Sequence, residues 1–248
     1  MPHFYNRYSS LASKKILITG GATGIGRELV IAFRQQGSEV NFLDIDEENG
    51  SALARETGAH FHVCDLRDVA ALRATISGIS QAGVDVLINN AARDDRHALE
   101  DVSPEYWRER LAVNLDHQFF ASQTVAGVMK KQRHGVILLT SSTSFRNGRP
   151  GMVGYTTSKA AIIGLNNTLA RELGEYGIRV NCLLPGAIST PRQEALWRGS
   201  QAEAEILAKQ AIPILLQARD VAAMALFLAS DDARGCTAAE FVIDAGIR

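Results

Sequence analysis

The stretch Lys15-Ile16-Leu17-Ile18-Thr19-Gly20-Gly21-Ala22-Thr23-Gly24-Ile25-Gly26 decides how the rest of the chain is read. Ile16 to Ile18 are apolar on successive positions, the mark of a strand covered on both faces. Glycines then cluster at 20, 21, 24 and 26, and an amphipathic run of helix length, 25–36, follows at once. Without a Cβ, glycine permits a tight turn and lets backbone N–H groups approach a pyrophosphate, whose charge is favoured at a helix N-terminus. The spacing is not GxGxxG, and a glycine cluster alone also makes an ordinary turn. The phosphate-binding reading is selected by context: the turn lies between strand and helix, about 20 residues ahead of a second strand ending in an acid, Asp44.

Outward from that turn the same alternation continues. Apolar, β-rich runs recur at 39–44, 60–64, 84–89, 135–140, 178–183 and 240–243, with helix-length stretches at 25–36, 68–81, 104–132, 152–175 and 220–229. Strands alternating with helices imply a parallel sheet covered on both faces. The expected fold is therefore α/β, a Rossmann-type doubly wound sheet of about seven parallel strands. No linker, repeat or second compositional block interrupts it, so residues 1–248 are expected to form a single dinucleotide-binding and catalytic domain. The irregular, proline-bearing segment 186–217 follows the sixth strand. Ligands bind beyond the carboxyl ends of such strands, which makes this segment the expected substrate lid.

Composition removes several function classes. The 248 residues are 46% hydrophobic and 21% charged, enough to bury a sizeable core, and 26 Lys plus Arg against 27 Asp plus Glu leave a net charge of −1. Neither nucleic acid nor an anionic membrane surface is an expected partner. The longest apolar run, Val221 to Ala229, has nine residues, far short of the roughly 20 that span a bilayer, and the N-terminus lacks an apolar signal core. A cytoplasmic protein is expected. Cys64, Cys182 and Cys236 are far apart and read as small buried hydrophobes; the six histidines offer no metal-ligand spacing beyond His60-x-His62, and no metal is expected.

Chemistry concentrates in a few positions. A carboxylate at Asp44 can accept both hydroxyls of an adenosine ribose, whereas a 2′-phosphate would meet its charge at a cost of about a few kcal/mol, so NAD is expected over NADP. Asp46, Glu47 and Glu48 follow it with no Lys or Arg nearby, and a solvated acidic loop is the alternative reading of this stretch. Tyr155 and Lys159 are four apart on a predicted helix and project from one face. A phenol ordinarily ionises near pH 10; a neighbouring ammonium and an oxidised nicotinamide would bring it toward neutrality as a base. Ser142, just past the fifth strand, is placed to hydrogen-bond the reacting oxygen, and Asn114 falls in the long helix expected over 104–132.

Together these residues resemble the short-chain dehydrogenase/reductase family over essentially the whole chain. The resemblance is carried by Thr19 to Gly26 (TGGATGIG), Asp44, Asp65-Leu66, Asn89-Asn90-Ala91-Ala92, Asn114, Ser142, Tyr155-Thr156-Thr157-Ser158-Lys159 and Pro185-Gly186-Ala187-Ile188-Ser189-Thr190. It implies Tyr155 as acid/base, Ser142 orienting substrate, Lys159 holding ribose and lowering the tyrosine pKa, and Asn114 anchoring a water in a proton relay. It further implies cofactor contacts from Gly20, Thr23, Gly24, Ile25 and Gly26, from Asp65 and Leu66 at adenine, from Asn90 and Ala91 on the adenosine side, and from Pro185, Gly186, Ile188 and Thr190 toward the carboxamide. Dimers or tetramers built on the long helices are implied too, with Leu165, Leu169 and Leu173 as the apolar stripe. Two departures stand out: NNAG reads NNAA at Ala92, and DGG reads Asp244-Ala245-Gly246.

Substrate identity must come from the loops. Arg93-Asp94-Asp95-Arg96-His97 and Thr190 to Trp197 resemble members that oxidise C1 of free aldoses such as D-xylose or L-arabinose to lactones. Polyhydroxylated rings need many donors and acceptors and often an aromatic face, which Asp94, Arg96, Ser144, Arg146, Asn147, Gln193 and Trp197 offer. A sugar acid is the competing expectation, its carboxylate anchored by Arg93, Arg146, Arg149 or Arg192, although the same arginines are equally placed to pair with Asp94, Asp95 or Glu194. A non-catalytic NAD-binding regulator is a more remote alternative, since it would be free to lose Tyr155 or Lys159 and this chain keeps both.

Overall fold

The computed structural model describes residues 5–197 and 199–247. Seven parallel strands form one sheet in the order β3-β2-β1-β4-β5-β6-β7: β1 (Lys15–Thr19), β2 (Glu39–Asp44), β3 (His60–Val63), β4 (Val86–Asn89), β5 (Gly135–Thr140), β6 (Ile178–Pro185) and β7 (Glu240–Ile243). Side chains alternate across it. Ile16, Ile18, Phe42, Ile88 and Leu138 meet α1 (Gly24–Gln35) and α9 (Ala218–Ala229) on one face. Leu17, Leu43, Leu87, Ile137 and Leu139 meet α3 (Val69–Ile79), α5 (His117–Gln132) and α6 (Val153–Leu173) on the other. The double burial explains why these strands lack a polar face.

Strand order reverses between β1 and β4: β2 and β3 lie outward on one side of β1, and the chain then crosses back to place β4 on the other. A crevice opens beyond the carboxyl ends of β1 and β4, where Thr19 stands level with Asn89. Thr19 Oγ1 accepts from the backbone N–H of Asn90 at 3.1 Å and of Ala91 at 3.3 Å, tying the two strand ends together.

Four local features go beyond the sequence reading. The acidic run after β2 is not a loop but the start of α2 (Glu47–Thr57): Asp46 Oδ1 caps it by accepting from Asn49 N, and Glu47 and Glu48 occupy the first turn, where negative charge complements the helix dipole. The single helix expected over 104–132 is α4 (Pro104–Leu111), a π-turn at Ala112–Asp116, and α5. The segment 186–217 holds two helices, α7 (Pro191–Trp197) and α8 (Ser200–Lys209), and its ends are stitched together by Ser189 N donating to Leu216 O at 2.7 Å. The leucine stripe of α6 divides: Leu169 and Leu173 are core, whereas Leu165 lines a shallow outer groove with Leu115, Phe119 and Phe120.

Both departures from the family pattern are accommodated. Ala92 keeps a negative φ, so its Cβ costs no backbone strain, while Ala245 takes φ 55°, a left-handed value that a side chain disfavours by about 1 kcal/mol. Cys64 and Cys182 are buried as expected, Cys236 is half-buried, and all three are free. Among the described residues no helix is long and apolar enough to cross a membrane, and no group of three or more His, Cys, Asp or Glu is placed to hold a metal.

Candidate active site

A cleft of ≈1380 Å³ runs across the carboxyl ends of the strands. Its floor begins at the glycine turn. A Cβ on Gly20 would lie 2.6 Å from Ala91 Cα, and one on Gly26 would lie 1.8 Å from Gly20 O, so the backbone here closes to a distance only glycine permits. Asn90 Nδ2 holds the turn by donating to Gly20 O at 2.9 Å. Thr23, at the α1 N-cap, makes no capping hydrogen bond through its side chain, and the first turn carries no acid. The backbone N–H groups of Gly24, Ile25 and Gly26 thus face the cleft without a competing anion, a cradle that suits a pyrophosphate.

The other residues expected to hold a dinucleotide line the same cleft: Asp44, Asp65, Leu66, Asn90 and Ala91 on one side, Tyr155, Lys159, Pro185, Gly186, Ile188 and Thr190 on the other. Asp44 Oδ2 accepts from Ala22 N at 2.9 Å and Oδ1 from Asp46 N at 3.1 Å, so this carboxylate also braces the turn. Arg67 grips Asp65 through Nε and a terminal nitrogen at 3.0 and 2.7 Å, which holds the Asp65 carboxyl below its ordinary range.

At the far end of the cleft Tyr155 meets Ser142 and Lys159. Burial pushes the Tyr155 phenol up to about 12; a hydrogen bond from Ser142 opposes that and the negative charge of Asp94 adds to it. Lys159 is fully enclosed, and burial pushes its ammonium down to about 8. Its Nζ donates to Thr140 O at 2.8 Å and stands 5.4 Å from the Tyr155 ring centroid. The protein alone therefore does not bring the phenol toward neutrality: desolvation outweighs the Ser142 hydrogen bond, and burial also weakens the charge of Lys159 beside it.

Asn114 sits in the π-turn and does not line the cleft. Its Oδ1 accepts from Arg93 N at 2.9 Å and its Nδ2 donates to Arg93 O at 3.1 Å, clamping the backbone that leads from β4 into the substrate end. His117 lies one turn on, fully buried, with neither ring nitrogen in a well-formed hydrogen bond. Burial, with Lys159 adding, pushes it down to about 3, and an approach to the Val113 carbonyl only partly offsets this. Unfolded, the imidazole titrates near 6.5. Between about pH 6.5 and 3 the unfolded chain therefore binds the extra proton, and stability falls with falling pH by about 1.4 kcal/mol per pH unit. His117→Phe is expected to flatten this acid limb in a plot of Tm against pH; an unaltered slope would mean that the ring is protonated within the folded protein.

Of the residues expected to meet substrate, Asp94, Arg96, Ser144, Asn147 and Gln193 line the cleft. Arg146 does not: it turns outward to pair with Glu240 on β7, because a guanidinium on the exposed turn after Ser142 finds its carboxylate partner there. Trp197 lies outside the residues whose side chains are described.

A family model described as enoyl-(acyl carrier protein) reductase matches residues 20–248. The chain is 46% identical over 246 residues to D-xylose 1-dehydrogenase of Caulobacter vibrioides, covering 97% of this chain and 98% of that protein. It is 44% identical over 250 residues to a probable galactose dehydrogenase of Rhizobium meliloti, with 98% of each covered. The chain belongs to the short-chain dehydrogenase/reductase family. It is an oxidoreductase acting on CH–OH groups. A solved short-chain reductase, a 3-oxoacyl-[acyl-carrier protein] reductase with bound NAD from Brucella melitensis, shares the fold with a TM-score of 0.88 at 30% identity, covering 97% of this chain and 93% of that one.

Several cleft residues of this short-chain dehydrogenase escaped the sequence reading. Met152, Ile206 and Ile247 supply apolar wall, and Ala202, Ile206 and Lys209 of α8 reach the cleft from one helix face. The spacing of Ala202 and Ile206 by one turn was the available signal. Ile247 offered none, since its place follows from where the chain returns after β7.

Proposed function

We propose that this chain oxidises C1 of a free neutral aldose to the lactone, with NAD as cofactor. The observation that carries this reading is the commitment of the arginines. Arg93 pairs with Asp95 at 3.4 Å, Arg192 with Asp95 at 2.6 Å and with Asp94 at 3.5 Å, and Arg146 with Glu240. Three of the four guanidiniums that would anchor a sugar acid are thus engaged by carboxylates, while Asp94, Ser144, Asn147 and Gln193 offer a ring of neutral hydroxyls the donors and acceptors it needs. Of the four, the sugar-acid alternative is left with Arg149, which lines the cleft.

In this mechanism Ser142 holds the C1 oxygen and the Tyr155 phenolate takes its proton. Lys159 keeps a positive charge beside the phenolate and would hold the cofactor ribose, and Asn114 acts at one remove, its amide fixing the Arg93 backbone that leads into the substrate end. NAD, held by the glycine turn, Asp44 and Lys159, would supply the acceptor for the C1 hydride and a positive charge that favours the ionised phenol. Segment 186–217 serves as the lid, α7 and α8 covering the substrate end. An NADH-formation screen over pentoses, hexoses, 6-deoxyhexoses and sugar acids tests the proposal: neutral aldoses should respond, and a response confined to acids would overturn it.

The choice of NAD is supported by Asp44 in the cleft and by Arg27, beside the turn, being paired to both carboxylate oxygens of Glu56 rather than left to meet a 2′-phosphate. Asp44→Ala is expected to reduce the NAD over NADP ratio of kcat/KM by at least about tenfold, the size of a close like-charge term, with some loss of Tm from the two N–H groups it braces. A wild-type preference for NADP would show this carboxylate to be misread. The outer groove beside Phe119, which is 37% exposed, supports association of copies into a dimer or tetramer, and the three unpaired cysteines accord with a cytoplasmic setting.

A further inference from the structure

We propose that Asp94 sets the substrate class of this site: its carboxylate receives a hydroxyl of a neutral sugar and turns away sugars that carry a carboxylate. The proposal rests on the aldose reading above and names the residue that enforces it.

Two neighbouring acids follow β4, and the fold gives them opposite tasks. Asp95 does not line the cleft; it is held among Arg93, Arg192 and Arg110, whose side chain is only 4% exposed. Asp94 lines the cleft. Its place is not left to loop flexibility, because both ends of the Asn114 amide clamp the backbone of Arg93 immediately before it. From there its charge acts on both reacting groups, raising the Tyr155 phenol and the Lys159 ammonium. Glu205, another acid lining the cleft near the lid, is bonded to Gln201 on its own helix.

Asp94 also touches the lid. Gln193 Nε2 donates to Asp94 Oδ2, and Arg192 Nε lies 3.5 Å from Oδ1. A carboxylate accepts about four hydrogen bonds, so capacity remains for a substrate hydroxyl, and a hydroxyl bonded to an ionised acceptor is held more strongly than one bonded to a neutral group. A carboxylate on the substrate brings no proton to donate and meets a like charge in a partly desolvated cleft.

The test uses purified wild-type enzyme, Asp94→Asn and Gln193→Ala, with paired substrates that share C1 chemistry and differ in one carboxylate: D-galactose against D-galacturonate, with D-xylose as a second neutral sugar. For the wild type, galacturonate should bind at least about tenfold more weakly than galactose, measured as inhibition of D-xylose oxidation. In Asp94→Asn, kcat/KM for the neutral sugars should fall by about tenfold to a hundredfold, chiefly through KM, and the galacturonate-to-galactose ratio should rise by about tenfold or more. Gln193→Ala removes a substrate-facing amide but keeps the Asp94 charge, so kcat/KM for galactose and for galacturonate should fall together and leave their ratio unmoved, which separates charge selection from disturbance of the lid.

If Asp94→Asn does not fold, Asp94→Ser is measured in the same way, and the wild-type inhibition comparison stands on its own. Oxidation of neutral aldoses with an unmoved ratio, or equal wild-type binding of the two sugars, overturns the role of Asp94 alone. No NADH from any neutral aldose overturns the aldose reading and this inference with it.

Discussion

Tyr155→Phe is expected to lower kcat by about 10²–10⁴-fold, the range supplied by a positioned acid/base, while NADH titration by fluorescence gives a dissociation constant within a few-fold of wild type. The ring is retained, so the packing beside Lys159 and Ser142 survives and only the ionisable oxygen is removed. Lys159 keeps its bond to Thr140 O in that variant, which keeps the ribose side of the site in place. The wild-type phenol is held well above neutrality by burial, with Asp94 adding and Ser142 opposing. Since alcohol oxidation needs the deprotonated phenol, oxidation should rise with pH across roughly pH 7 to 9, and the reverse reduction should favour the lower end. Substantial oxidation retained by Tyr155→Phe would eliminate the phenol as the proton acceptor and leave the cleft without a base in the right place.

Gly26→Ala should be the most damaging single methyl group in the chain. Its Cβ would stand 1.8 Å from Gly20 O and 2.8 Å from Asn90 Nδ2, and neither neighbour can yield. Gly20 is wedged against Ala91, and its carbonyl accepts from Asn90. The overpacking is expected to cost about 1–3 kcal/mol or more in stability, and opening the turn should weaken NAD binding by at least tenfold, since about three backbone N–H groups lose their common aim. Gly127→Ala is the control: a Cβ there meets nothing within 4 Å on the exposed side of α5, and the substitution should raise stability by about 0.5–1 kcal/mol. Thermal unfolding and cofactor titration of the pair read both effects, and a Gly26→Ala protein with wild-type Tm and affinity would show the turn to be looser than its geometry states.

Much of the architecture was legible because buried parallel strands have a plain signature. The runs at 15–19, 39–44, 135–140 and 240–243 coincide with β1, β2, β5 and β7. Asp46 to Glu48 were not decided, because acids that cap a helix and acids in a solvated loop are the same residues; only the Asn49 N–H bonded to Asp46 tells them apart. The π-turn at Ala112–Asp116 breaks no hydrophobic period sharply enough to be seen, yet it places Asn114 on the Arg93 backbone instead of in the cleft. Arg146 was misplaced for a different reason: its partner, Glu240, is 94 residues away in sequence.

The chain's own order of residues was enough to determine the parallel sheet, the tight glycine turn and the family, because each depends on local chemistry: burial on two faces, absence of a Cβ, a tyrosine and lysine one helical turn apart. Which charges remain available to a substrate was decided only by tertiary structure. Opposite charges find one another across long loops, so Asp95 is consumed by three arginines while its neighbour Asp94 lines the cleft. The same holds for the phenol, whose ionisation depends on the desolvation and neighbouring charge that the fold imposes on Tyr155 and Lys159 and not on their spacing.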